Sequence, residues 1–151
     1  MKHCLLPIMV ILTLFSSCRT PLTPEEKARA KEFTGTISVE YQGSVNDSDN
    51  VKVRFLPSED GTTADITIYR IKFVPKMPVT IDVTIPSVRI SGTEDNLILE
   101  ADNIVPLALG GKYEKYTVYG LEGSQSGRGL EFSLKFGEFP TRFRGRLTEQ
   151  H

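Results

Sequence analysis

The sequence predicts an all-β domain: an antiparallel meander of about eight short strands, closed into a barrel. Three observations lead there. Apolar residues recur at every second position through most of residues 33–147, the period of a strand with one buried face. Clusters of Gly, Pro, Asn, Asp and Ser separate the apolar runs, as turns do. No long run keeps helical spacing. A barrel leaves no exposed sheet edge, which favours it over a β-sandwich, the competing arrangement.

Taken in order, Phe33, Gly35, Ile37, Val39 and Tyr41 alternate with Thr34, Thr36, Ser38 and Glu40 as a half-buried first strand. Gly43 to Asn50 reads as a turn-rich loop. Val51, Val53 and Phe55 alternate with Lys52 and Arg54 as the second strand, and Pro57-Ser58-Glu59-Asp60-Gly61 forms a turn. Ala64, Ile66 and Ile68 make the third. Its phase slips near Tyr69-Arg70, because Ile71 and Phe73 continue with opposite parity; a β-bulge or a break explains this. After Pro75 and Pro78, Val79, Ile81, Val83 and Ile85 alternate with Thr80, Asp82 and Thr84. Pro86 interrupts before Val88 and Ile90 resume, which implies an edge, a corner or two strands.

Ser91 to Asn96 reads as a turn and Leu97 to Ala101 as a short strand. Ile104 to Gly111 reads as an ordered apolar loop, Tyr113 to Leu121 as an aromatic and β-branched strand, and Gly123 to Gly129 as a flexible turn. Leu130, Phe132, Leu134 and Phe136 then alternate with Glu131, Ser133 and Lys135. After a turn at Gly137 to Pro140, Phe143, Gly145 and Leu147 alternate with Arg142, Arg144 and Arg146. Gly35 and Gly145 stand on the apolar side of the first and last strands. Tightly curved sheets need glycine there, so these two strands are expected to meet.

Upstream, residues 1–17 have the form of a lipoprotein signal peptide. Lys2 is the basic start, and Cys4 to Phe15 is an uncharged run too short to cross a bilayer. Small Ser16 and Ser17 precede Cys18, as in a bacterial lipobox, although Phe15 stands where Leu is usual. A lipidated Cys18 holds a domain on a membrane, since each buried methylene contributes about 0.8 kcal/mol and two chains give stable anchoring. Residues 18–32 then form a lipidated tether. Within it Thr23-Pro24-Glu25-Glu26 carries the capping-box signature of a short helix. Residues 148–151 are a C-terminal tail.

Composition excludes more than it assigns. Charged residues are 25% and apolar ones 39%, which is globular rather than disordered. The formal net charge is −1 with no basic bias, so nucleic acid is not an expected partner. The cysteines are Cys4 and Cys18, and the histidines His3 and His151. Residues 19–150 therefore supply no imidazole or thiol for a Ser-His-Asp or Cys-His site, nor a Cys/His zinc site. No enzymatic activity, metal or cofactor is expected.

Several segments resemble one family. Phe-Thr-Gly-Thr-Ile-Ser-Val (33–39) follows the lipoprotein signal. Met-Pro-Val-Thr-Ile-Asp-Val-Thr-Ile-Pro-Ser-Val-Arg-Ile-Ser-Gly (77–92) lies mid-chain. Gly-Leu-Glu-Phe-Ser-Leu-Lys-Phe (129–136) and Phe-Arg-Gly-Arg-Leu (143–147) close it. Together they look like the calycin-like (lipocalin-like) lipoproteins of Bacteroidetes. That resemblance implies an eight-stranded antiparallel barrel anchored to the outer membrane in the cell envelope, with no assigned activity. The Gly-x-Trp motif of lipocalins is absent.

The candidate binding residues follow from this frame. Tyr113, Tyr116 and Tyr119 could contact a small apolar ligand, and strand alternation would put Tyr113 and Tyr119 on one face and Tyr116 on the other. Arg142, Arg144 and Arg146 form an outward row that could meet a surface anion, with Glu40 as a partner if the first and last strands pair. Asn46 to Asn50 offers a run of oxygen ligands but reads as a polar hairpin tip rather than a calcium loop. Asp60/Asp65 and Glu94/Asp95 sit at turns and define no glycosidase pair. The apolar loops Phe73 to Met77 and Ile104 to Leu109 are lids over a barrel mouth or plugs within it. The expected function is a lipid-anchored, non-enzymatic barrel binding a small apolar ligand or an envelope protein. The alternative is a structural subunit with a packed interior.

Overall fold

The computed structural model describes residues 22–73 and 78–148. The expected signal peptide (residues 1–17), the lipidation candidate Cys18, residues 74–77 and residues 149–151 lie outside the described residues. Helix α1 (Pro24–Arg29) is followed by β1 (Lys31–Tyr41), β2 (Ser44–Pro57), β3 (Thr63–Ile71), β4 (Ile81–Thr93) and β5 (Asn96–Ala101). Then come β6 (Leu107–Ala108), β7 (Gly111–Lys112), a 3-10 turn (Glu114–Tyr116), β8 (Val118–Ser126), β9 (Gly129–Phe136) and β10 (Phe139–Leu147). The capping box forms as read: the Thr23 hydroxyl accepts from the Glu26 N–H at 3.1 Å, and Glu26 Oε1 accepts from the Thr23 N–H at 3.0 Å.

Sheet order is β3-β2-β1-β10-β9-β8-β5-β4, and pairing of β3 with β4 closes these eight antiparallel strands into a barrel. The sandwich alternative is thereby set aside. The two-residue strands β6 and β7 form a hairpin hung on β4 through Thr84↔Leu107 and Val83↔Ala108. The expected meeting of first and last strands is found, with Gly35 directly opposite Gly145. A Cβ on Gly35 would overlap the Arg144 carbonyl and the Gly145 Cα, and one on Gly145 would lie 2.5 Å from Phe143 Cζ. Only hydrogen fits between the strands there, and the space is taken by the fully buried Phe143 ring.

Four β-bulges curve the wall, each with its extra residue at positive φ: Asn50 (58°), Arg70 (58°), Ser87 (55°) and Gly120 (59°). At two of them, the single residue facing the bulge is an aspartate that accepts the stray N–H. Asp82 takes that of Arg70 at 3.0 Å, and Asp65 that of Ser87 at 2.9 Å. At the third, Asp102 takes the Gly120 N–H at 2.9 Å. Charge-assisted bonds to otherwise unpaired backbone donors offset part of the left-handed conformation.

These bulges correct several sequence readings. The slip at Tyr69-Arg70 is a bulge. Pro86 ends nothing: β4 runs through it, and the bulge at Ser87 restores the inward parity of Val88 and Ile90. Of the loop expected at Gly43 to Asn50, Ser44 to Asn50 is strand, because a two-residue turn at Gln42-Gly43 (φ 51° and 79°) turns the chain straight back onto β1. Gly123 to Gly129 is likewise mostly strand, with the turn confined to Gly127-Arg128, and the last hairpin turns at Gly137-Glu138. Tyr113 to Thr117 is not strand; β8 begins at Val118. Ile104 to Gly111 is not all loop, since it holds β6 and a bridge from Ile104 to Val118.

Inward side chains form one continuous cluster, in which Phe33, Phe55, Phe73, Phe136, Phe143, Ile37, Ile66, Ile68, Ile71, Ile85, Leu99 and Leu121 are each less than 2% exposed. Eight strands enclose about the volume their own side chains can fill. At the β2–β3 turn, the Asp60 carboxylate accepts from Ser58 Oγ, the Thr62 N–H and the Thr62 hydroxyl, at 2.7, 3.1 and 2.8 Å. These bonds, Ser58 first, hold its pKa at about 2.

Two outcomes are expected. Gly35→Ala should cost about 1–3 kcal/mol in urea unfolding, the range for forced overpacking. Asp60 has a depressed folded pKa, so its contribution is complete above the unfolded value of about 3.9 and lost as pH falls toward the folded value. Asp60→Asn should therefore remove stability at neutral pH and flatten the stability curve between pH 4 and 2, read by thermal melts across that window.

Candidate functional site

The two ends of the barrel differ. One carries α1, the β2–β3, β4–β5 and β8–β9 turns and the last described residue, Thr148, whose N–H bonds to the Glu32 carbonyl at 2.8 Å. The other carries the β1–β2 and β9–β10 turns, the β3–β4 connection and the segment between β5 and β8. Aromatic side chains gather at this second end.

Phe73, just past β3, stacks on Tyr116 with centroids 3.9 Å apart, and Tyr113 stacks on the same tyrosine at 5.0 Å. Phe136 meets Phe73 edge-on at 5.0 Å. Phe139 lies 6.2 Å from Phe73 and 6.0 Å from Tyr116, and Tyr41 reaches Phe139 at 5.9 Å. Such offset and edge contacts are each worth about 0.5–1.5 kcal/mol beyond area burial. Phe73 and Tyr116 are buried, whereas Tyr113, Phe139 and Tyr41 are half-buried and offer ring surface outward.

Local chemistry builds this arrangement. Residues three apart eclipse in a 3-10 turn, so Tyr113 and Tyr116 are brought onto one another. The Thr117 hydroxyl donates to the Glu114 carbonyl at 2.6 Å, and the Tyr113 N–H to that of Pro106 at 2.9 Å. The Gly137 N–H then ties the turn to the last hairpin through the Thr117 carbonyl at 2.8 Å. A Cβ at Gly137 would lie 2.6 Å from the Lys115 carbonyl, so glycine is required for the turn to seat between Phe136 and Phe139. Desolvation, with a further contribution from Tyr113, raises the Tyr116 pKa and keeps the phenol neutral. Lys115 Nζ stands 5.7 Å from the Tyr116 ring centroid.

Beside the cluster the wall is incomplete. Pairing of β2 with β3 starts only at Val53, so among the described residues nothing pairs with the outer edge of Ser44 to Asn50. The bulge at Asn50 turns Asn46 and Ser48 inward, opposite Val39 and Ile37. Asn46 Nδ2 is buried there without an acceptor.

The candidate residues separate. Tyr113 and Tyr116 belong to the cluster. Tyr119 does not: it stands on β8, 44% exposed. The expected sharing of a face by Tyr113 and Tyr119 fails because strand alternation does not run through the 3-10 turn. Phe73 is a plug rather than a lid, and residues 74–77 lie outside the described residues. Leu107 and Leu109 are neither, since they are exposed on the outer wall. Arg142, Arg144 and Arg146 do form an outward row. Arg144 Nε pairs with Glu131 Oε2 at 3.3 Å, both groups exposed; Glu40 lines a cleft with Arg142, but among the described residues it forms no ion pair with the row. On the neighbouring strands Asp49 and Asp47 accept from Thr36 and Ser38 at 2.9 and 2.6 Å, so the face alternates in charge and concentrates no positive field. Asn46 to Asn50 is strand, its aspartates outward and asparagine amide inward, not the hairpin tip that was expected. Among the described residues no three His, Cys, Asp or Glu side chains are placed to hold a metal.

The site thus offers flat apolar faces and a buried amide donor. In comparisons with known proteins, no family model, no curated protein and no solved structure matches the chain.

Tyr116 gives a check on this environment. Its folded pKa is raised, so its contribution is complete below the unfolded value of about 10 and lost as pH rises past it. Tyr116→Phe should lose less stability than the parent between pH 9 and 11, measured by denaturant unfolding.

Proposed function

We propose that this chain is a lipid-anchored barrel of the bacterial cell envelope that binds a small, flat apolar molecule at its aromatic end and catalyses no reaction. The observation that carries the reading is the stack Phe73–Tyr116–Tyr113. Its inner members are buried, and its outer rings, with Phe139 and Tyr41, stay half-open. A planar ligand extends such a stack at little ordering cost, because the rings are already fixed. Because the inward side chains pack as one continuous cluster, the ligand would sit on the plug rather than deep inside. The similarity to calycin-like lipoproteins supports the envelope location. A tether entering through α1 would hold the opposite end toward the membrane and leave the aromatic end facing away.

One observation favours a second reading, a structural subunit without a ligand: the continuous buried cluster leaves the barrel to be stable when empty. A fluorescence titration with N-phenyl-1-naphthylamine separates the two. Saturable binding, weakened about 3- to 10-fold by Tyr113→Ala, supports the aromatic site, since one ring contact is removed. Absence of binding to the parent protein leaves the structural subunit. For the anchor, Cys18→Ser should abolish palmitate labelling in the native host; retained labelling would sink the lipoprotein assignment.

A further inference from the structure

A further cleft lies on the outer wall, away from the aromatic stack. It measures about 790 Å³ and runs along β2, β3 and β4 under the β6–β7 hairpin, within the range of small-molecule sites, roughly 300–1,000 Å³. Its floor is one cross-strand row, Arg54↔Thr67↔Thr84↔Leu107. Although this row faces outward, Thr67 is only 4% exposed, and its hydroxyl sits 2.9 Å from that of Thr84. Arg54 Nη2 reaches Thr67 Oγ1 only at 3.5 Å, the outer limit of a hydrogen bond. Its Nε is buried and has no acceptor among the described residues. Glu32 stands opposite Arg54 on β1, yet no carboxylate among the described residues forms an ion pair with it. A guanidinium with a buried, unanswered N–H is costly until an anion takes its planar fork.

The lip of the cleft carries a second, independent anomaly. Leu109 occupies the first position of the β6–β7 turn at φ 53°, followed by Gly110 at 86°. Asn, Asp and Gly suit that conformation; leucine does not. The same side chain is 73% exposed, and Leu107 beside it 40%. Strained and solvent-facing at once, Leu109 gains nothing from the fold as described. Such outliers concentrate where ligands are held.

We infer that this cleft binds a monoanionic amphiphile, a medium-chain carboxylate, with its headgroup on Arg54 and its chain against Leu107 and Leu109. The single charge follows from Asp82, which lines the same cleft while accepting from the Arg70 N–H and would repel a doubly charged head.

Decanoate titrated into the full chain and followed by methyl NMR should shift the Leu107 and Leu109 methyls and saturate. Arg54→Gln should weaken this binding by about tenfold or more, the loss expected for a charge-assisted hydrogen bond. Leu109→Asn should weaken it by about threefold or more, one to two methylenes' worth of contact. The same change should hold or raise the melting temperature, because Asn accepts the left-handed turn. Tyr113→Ala should leave it unchanged. Decanol binding as tightly as decanoate, decyl phosphate binding more tightly, or Arg54→Gln without effect would overturn the inference. So would decanoate binding that Tyr113→Ala abolishes while the cleft methyls stay unshifted.

Discussion

Closure of the barrel depends on the contact between Gly35 and Gly145. The first and last strands approach there so closely that a methyl group on either would strike backbone or the Phe143 ring. Everything else in the architecture assumes that seam. With it closed, each of the eight strands has two neighbours for at least part of its length, and the alternating apolar residues converge on one interior. An open sheet of the same strands would leave β1 and β10 as bare edges and open its apolar face to water. The absence of two side chains thus contributes as much to the fold as the presence of any one.

Much of this was legible in the residues, and what was not has a common cause. Alternation at 33–41, 51–55, 64–68 and 130–136 states which face is buried, and it did so correctly. The two glycines on apolar faces announced the seam. Failures cluster where the period of two is interrupted. A bulge inserts one residue and reverses parity, so Ser44 to Asn50, which ends at the bulge and has Val45 as its one apolar residue, carried no strand signal. Pro86 looked like a stop because the bulge at Ser87 cannot be seen from composition. At three of the four bulges the stray N–H is met by an aspartate on another segment. Asp65 and Asp82 are separated from Ser87 and Arg70 by 22 and 12 residues respectively, beyond the reach of local reading.

The aromatic end was half legible. Tyr113 and Tyr116 were singled out as candidates, but under the wrong period: read as strand they part, read as a 3-10 turn they stack. Their spacing of three was the available signal. Phe73, Phe136, Phe139 and Tyr41 were placed only as core or loop residues. Their convergence depends on three separate connections meeting at one end, which strand patterns do not specify. The arginine row was read correctly as outward, while its neutralising neighbours come from strands that pairing alone brings alongside.

The overrun of β2 past β3 also bears on how copies of this chain treat one another. An edge of backbone that no described residue pairs, from Ser44 to Asn50, is a template on which a second chain could add a strand, the first step of polymerisation. On that ribbon Asp47 and Asp49 point to the outside, each fastened by a hydroxyl from β1. Two such edges meeting side by side would set like charges against each other at cross-strand distance, where repulsion opposes pairing. The acidic ribbon is thus a colloidal safeguard, and its strength depends on charge. Salt that screens the aspartates lowers the barrier without disturbing the barrel behind it.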